Sequence, residues 1–455
     1  MDFHFNAILQ SSGWLENTKI STNDKGIITS IEPDRRERER GADGYAIPGF
    51  RNCHSHAFQY AMAGLAERHD PSSGRDDFWG WRNKMYEIAL WLDPDQVEQI
   101  ARMLYWELIR HGYTHVCEFH YLHHDKDGTQ YDNPAEMGER LIAAAENAGI
   151  NITLLPVFYQ KGGFGKDPLP EQRRFISRTF DDYASLLEHT VRACEKSETA
   201  SAGVAVHSLR GVDPDDVIRT AETLGTDLPF HIHISEQLKE VEECIEHLDA
   251  RPVEWALENL ELTDRFNFIH ATHVNEAEIN GMAGRGVNVV LCPSTEGNLG
   301  DGIFPLRLFC ELGGTWSIGT DSHVGLNPFE ELRLLDYGQR LTTHKRDTFR
   351  GDSESSAENA IRSSFFAGVK GTGERTSEYF EVGKPLNACV IRDDHPMVES
   401  CETHALADRI VYVSEPTWIK GTVVNGIWTC KEGEVIRADK IRGRYREILW
   451  DLDLK

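Results

Sequence analysis

No apolar run in this sequence approaches the ~18 residues that a membrane-spanning helix requires. The opening MDFHFNAILQ lacks a basic stretch followed by an apolar one, so no secretory signal is visible. A soluble, cytoplasmic protein without membrane partners is expected. Paired cysteines are also missing. The nine present stand singly, at Cys53, Cys117, Cys194, Cys244, Cys292, Cys310, Cys389, Cys401 and Cys430. An odd count without C-x-x-C argues against a disulfide framework and against a thiolate zinc knuckle. Basic residues are scarce, with 48 Lys and Arg against 74 Asp and Glu, a formal charge of −26. That balance argues against a nucleic-acid partner, because phosphate neutralisation needs clustered Lys and Arg. It also means that any anion site must be built locally, against the global field. The run DRRERER at 34–40 mixes signs and reads as a solvated loop. Internal repeats and low-complexity segments are absent, and the glycines at 162–165 lack the Lys-Ser/Thr ending of a phosphate loop.

What is present is a long alternation. With 455 residues, a large domain and a smaller companion are the starting expectation. Eight short β-rich runs, at 45–50, 114–119, 152–158, 203–206, 229–234, 266–270, 287–291 and 315–318, are separated for the most part by amphipathic helical patterns. Those patterns include 95–111, 134–148, 214–224, 237–248 and 276–285, several opened by Pro or an acidic turn. Eight βα units in series predict an α/β fold, a (β/α)8 TIM-type barrel, although a doubly wound open sheet shares the alternation. Residues 1–45 and 380–455 are short alternating segments, read together as a small composite β-sandwich domain around a barrel domain at 46–379. The stretch 328–379 reads as mostly helical. Segments 66–80 and 160–175 are candidate lid loops.

The chemistry-bearing residues fall after the strands. His54-Ser55-His56 follows the first; side chains two apart on an extended chain point the same way, so both imidazoles can reach one ion. His231-Ile232-His233-Ile234-Ser235-Glu236 closes the fifth, where His233 is nearer the C-terminal mouth in which barrel active sites form. His233 is therefore assigned to the metal, His231 to packing behind it, and Glu236 to proton transfer. His270 ends the sixth strand and Asp321 follows the eighth. Each alone reads more simply as a core histidine or a turn former. Their order along the chain brings all six to one mouth of the barrel. The metal set is then His54, His56, His233 and Asp321.

This pattern resembles the amidohydrolase superfamily, in particular its single-metal deaminase branch. The resemblance runs essentially end to end and is carried by PGFRNCHSHAFQYAMAG at 48–64, FWGWRNKMY at 78–86, EFHYLHHD at 118–125, HSLR at 207–210, HIHISEQLKEV at 231–241, CPSTEGNLGDGIFP at 292–305 and the Asp321-Ser322-His323 ending. It implies one Zn2+ per chain, with Fe or another divalent ion also suited to imidazole and carboxylate donors. No lysine lies near the fourth strand to bridge a second ion. The resemblance further implies Glu236, His270 and Asp321 as catalytic residues, and Arg82, Arg210, Gln59, Tyr121 and His207 as substrate contacts. The implied reaction is deimination of a linear amidine, N-formimino-L-glutamate, in histidine degradation by a homodimer. Two other readings compete: a deaminase of a guanine- or cytosine-like base, and a catalytically silent barrel serving as a binding or assembly protein.

Overall fold

The computed structural model of the chain describes residues 1–34, 43–67, 78–435 and 438–452. Nearly all of the charge run at 34–40, and most of the lid candidate at 66–80, lie outside them. Eight parallel strands hydrogen-bond in chain order: Phe50–Ser55, Tyr113–His120, Asn151–Phe158, Val204–Val206, Phe230–Ile234, Phe266–His270, Asn288–Leu291 and Thr315–Ile318. A bridge between Ser55 and Asp321 joins the first to the segment after the eighth, so the sheet closes as a barrel. Helices cover its outside, which is why strands such as Tyr113–His120 are buried at every position instead of alternating. The helices are set by local signals. Asp93 caps Pro94–Arg110 reciprocally with Gln96, and Asn275 caps Glu276–Arg285, which ends at left-handed Gly286. Among the described residues no helix is long and apolar enough to cross a membrane.

A second, eight-stranded sheet draws on both ends of the chain. Asp2–Gln10, Gly13–Thr22, Ile28–Pro33 and Tyr45–Pro48 come from the N-terminal side, and Ala388–Ile391, Ile419–Val424, Ile427–Lys431 and Glu434–Val435 from the C-terminal side. The two groups meet where Tyr45–Pro48 pairs antiparallel with Ala388–Ile391.

Two elements differ from the sequence reading. The run at 45–50 is two strands, not one. Tyr45–Pro48 belongs to the end-to-end sheet, and the barrel begins at Phe50. Gly49 separates them where a Cβ would lie 2.3 Å from the Thr114 side chain. Phe50–Ser55 (FRNCHS) carries too many polar residues to read as a buried strand, because its interior face lines the site. The C-terminal stretch also ends in a helix, Ala438–Asp451, with Ile441 and Ile448 buried two turns apart.

Candidate active site

Five of the barrel strands deliver side chains to one mouth. His54 lies within Phe50–Ser55 and His56 immediately beyond it; His233 lies in Phe230–Ile234; His270 ends Phe266–His270; Asp321 follows Thr315–Ile318 by three residues. His207 follows Val204–Val206 directly. Nε2 of His54 lies 3.0 Å from Nε2 of His233 and 3.5 Å from Oδ1 of Asp321, and Nε2 of His56 lies 3.4 Å from the same oxygen. The junction that closes the barrel also fixes this cluster. The Asp321 amide donates to the His54 carbonyl at 3.0 Å, and the His56 amide donates to the Asp321 carbonyl at 3.2 Å.

The donor set fits a divalent cation. Nδ1 of His56 donates to the Phe119 carbonyl at 2.7 Å, and Nδ1 of His233 to the His207 carbonyl at 3.0 Å. Carbonyl oxygens only accept, so both Nε2 atoms carry lone pairs. Burial pushes the pKa of His54, His56 and His233 down, keeping all three imidazoles neutral. Nitrogen lone pairs and a carboxylate facing one another in a buried site repel unless a cation lies between them, and three imidazoles with one carboxylate suit Zn2+. The ligating atoms of His54, His56 and Asp321 lie within 4.8 Å of one another, as do those of His54, His233 and His270.

Proton-handling groups flank the cluster. Nε2 of His270 is 3.7 Å from Oδ2 of Asp321 and 3.8 Å from Oε1 of Glu236, and its Nδ1 meets Oε1 of Glu296 at 3.2 Å. Burial opposes a charge on His270, but the carboxylates of Glu236, Glu296 and Asp321 outweigh it and raise it to about 10. A bound cation would oppose that rise. Burial raises Glu236 above the usual carboxylate range, as a proton donor near neutral pH requires. Several of these residues sit in strained backbone: Ser235, His270, Ala271, Asp321 and His323 all have positive φ. Such conformations cost about 1–3 kcal/mol each and persist where surrounding contacts enforce them. Here the strand ends turn sharply to aim side chains inward.

Residues 45–429 match the amidohydrolase family. The chain belongs to that family. It is 39% identical over 447 residues to formimidoylglutamate deiminase of Pseudomonas aeruginosa, covering 98% of each protein. The crystal structure of an amidohydrolase from Brucella melitensis superposes with a TM-score of 0.93 at 37% identity, covering 99% of both chains. An adenosine deaminase from Xanthomonas campestris, solved with bound zinc, shares the fold with a TM-score of 0.81 at 20% identity, over 100% of this chain and 98% of its own.

In this amidohydrolase the cluster opens into a cavity. It is lined by His56, His233, Glu236, His270 and Asp321 together with Arg82 and Arg210. Of the substrate contacts implied by resemblance, Gln59, Arg82, Tyr121, His207 and Arg210 all line it. Arg210 is 7% exposed, and its Nη1 is buried without a hydrogen-bond partner among the described residues. Its Nη2 is 3.9 Å from Oε2 of Glu236. The Gln59 amide donates to the Tyr121 hydroxyl at 2.8 Å, while its own buried oxygen has no donor. His207 stacks on Tyr159 with centroids 4.0 Å apart, and burial with the nearby Arg210 charge lowers its pKa. His231 stands apart from the cavity, bonded through Nε2 to the Gly371 carbonyl at 2.9 Å. The candidate lid at 160–175 is exposed over 165–171 and anchored beyond it: Gln172 donates to Tyr159 and Tyr86 at 2.7 and 3.1 Å, and Phe175 is fully buried.

Sequence reasoning did not single out Trp81, Met85, Tyr86, Tyr159 and Leu299 in the wall, nor Glu240, Glu296 and Asp301 behind it. Aromatic residues in helices carry no signal separating a wall from a core. The acidic Glu240 and Glu296, within helices opened by Leu238 and Pro293, read as ordinary helix residues. Both are buried, and only the fold reveals it.

Proposed function

We propose that this amidohydrolase hydrolyses N-formimino-L-glutamate to N-formyl-L-glutamate and ammonia. The observation that carries the proposal is one cavity lined by Glu236, by members of the histidine–aspartate cluster and by a buried arginine whose Nη1 has no hydrogen-bond partner among the described residues. The full-length likeness to a formimidoylglutamate deiminase supports it. The substrate matches that lining: it carries a cationic formimino carbon and carboxylates that need fixed, bidentate donors. A guanine- or cytosine-like base, the alternative substrate class, carries no carboxylate for Arg82 and Arg210 to grip.

His54, His56, His233 and Asp321 hold a single Zn2+ in this reading, the barrel unit at 46–379 carrying the chemistry and the flanking 1–45 and 380–455 the composite sheet domain. When bound, such an ion lowers the pKa of a water at the site toward ~7. Asp321 is placed to take a proton from the attacking water. His270, steadied through Nδ1 by Glu296, directs Nε2 toward the same locus and stabilises negative charge developing on oxygen. The water oxygen adds to the formimino carbon. Glu236 then delivers a proton to the terminal nitrogen as its bond to that carbon breaks and ammonia departs; the added oxygen gives its remaining proton back to the Glu236 carboxylate as the formyl carbonyl forms, and Asp321 releases its proton to solvent. Arg210 and Arg82 grip the carboxylates, with Gln59, Tyr121 and His207 completing the wall. Histidine degradation, a cytoplasmic location and a homodimer accompany this reading.

The test is ammonia release by zinc-loaded protein from N-formimino-L-glutamate, set beside simple amidines, guanine and cytosine. Release from the formimino substrate that chelation abolishes and zinc restores is the expected result. A preference for a base, or no release at all, overturns the proposal.

A further inference from the structure

Glu240 lies in the first turn of Leu238–Leu248, where an acidic side chain ordinarily faces solvent and favours the helix N-terminus. Here it is 1% exposed and folds back onto the end of the preceding strand. Its two oxygens accept from two consecutive amides, Oε1 from Ser235 at 3.3 Å and Oε2 from Glu236 at 3.1 Å. Ser235 is one of the left-handed residues, with φ +52°. A non-glycine residue in that conformation needs outside support, and a buried carboxylate bridging successive N–H groups supplies it. Glu240 also adds to the negative field at Arg210, whose Nη2 lies 3.9 Å from Oε2 of the same Glu236 that Glu240 holds through its amide. Of the carboxylates acting on that guanidinium, it stabilises the charge most, ahead of Glu236. One side chain thus touches the turn that aims the proposed proton donor and balances the proposed carboxylate anchor.

We propose that Glu240 is a positioning residue that links Glu236 and Arg210, holding the Ser235–Glu236 turn in place while partly offsetting the Arg210 charge that a ligand meets. The inference deepens the iminohydrolase reading and rests on it for the substrate. Glu240→Gln keeps the side chain's length but turns one oxygen into a donor, which then opposes an amide donor. The turn loses one support and Glu236 shifts. Arg210 keeps its charge with one less negative neighbour. The two effects act in opposite directions on the kinetic constants. The turn defect lowers kcat, by about 10- to 100-fold for a displacement on the order of 1 Å. The charge effect leaves dicarboxylate binding unchanged or tighter.

Steady-state kinetics with N-formimino-L-glutamate, together with calorimetric binding of N-formyl-L-glutamate and of glutarate, read the two separately. The expected result for Glu240→Gln is a fall in kcat with KM and both dissociation constants equal to or below those of the native protein. A partly unfolded variant would instead lose binding sites in proportion to kcat, and that result overturns the proposal, as does an unchanged kcat. Glu240→Asp keeps the charge but cannot reach both amides. It is expected to lower kcat without tightening binding, and tighter binding there would count against the assigned charge effect. Were the native protein inactive on N-formimino-L-glutamate, that failure would fall on the substrate assignment. The coupling would still be decided by glutarate affinity, and weaker binding to Glu240→Gln would overturn it.

Discussion

Replacing Arg210 by Met tests the carboxylate anchor most cleanly. Met preserves much of the stem's volume and flexibility but removes the guanidinium. The native side chain is almost wholly buried, with Nη1 lacking a hydrogen-bond partner among the described residues, so a bound carboxylate can satisfy it. A charge-assisted hydrogen bond is worth about 1.5–3 kcal/mol, and a bidentate pair therefore about 3–6 kcal/mol. At about 1.4 kcal/mol per factor of ten, Arg210→Met lowers kcat/KM for N-formimino-L-glutamate by roughly 10²- to 10⁴-fold. The loss is specific to the ligand's carboxylates. Formamidine, which has none, does not use that interaction, so its slow hydrolysis falls by less than that of the dicarboxylate, the residual change reporting the loss of a charge 3.9 Å from Glu236. Ammonia release from both substrates by native and variant protein, at matched zinc content, gives the ratio directly. A loss below about 5-fold for the dicarboxylate, or an equal loss for formamidine, would refute the assignment of Arg210 as the carboxylate anchor.

Three other perturbations test different links. Glu236→Gln retains zinc and N-formyl-L-glutamate binding but lowers kcat by about 10²- to 10⁴-fold, because an amide cannot deliver the proton; stopped-flow and calorimetry together check this, and unchanged turnover removes Glu236 as the acid. Gly319→Ala places a Cβ 2.7 Å from the His54 Cβ and 2.9 Å from the Cys292 Sγ. It is expected to weaken zinc binding by about 10-fold or more, read by metal analysis after dialysis against a chelator, and native affinity would contradict the packing argument. His120, buried away from the cluster, is held neutral by desolvation, with its pKa lowered from 6.5 to about 3. Below pH 6.5 the unfolded chain binds more protons at this site than the folded one, so its contribution makes stability fall with pH, by about 5 kcal/mol at most. Urea titrations should show a flatter decline between pH 6.5 and 4 in His120→Leu than in the native chain, and parallel curves would rule the contribution out.

Much of this protein was legible in one dimension because the barrel repeats a local rule. Short β-rich runs followed by capped, Pro-opened helices predicted eight parallel strands, and each predicted run overlaps a strand in the structure. His54, His56, His233, His270 and Asp321 could be picked out because an active-site residue on this fold lies at or just beyond a strand's C-terminal end, a position that spacing reveals. Local sequence could not separate Tyr45–Pro48 from Phe50–Ser55, since the division depends on a close approach of Gly49 to Thr114, 65 residues away in the sequence.

The tertiary structure alone decided what those residues face. The resemblance names Arg210, but only the fold buries it in the cavity that the histidine cluster lines, and Glu240 is a helix-opening acid until the strand end turns back over it. Residue type and spacing determine which chemistry a chain can carry, because they act through the backbone's short-range geometry. Which charges are stripped of water, and which donors are left unpaired for a ligand, depend on contacts among residues far apart in sequence, and those exist only once the barrel has closed between Ser55 and Asp321.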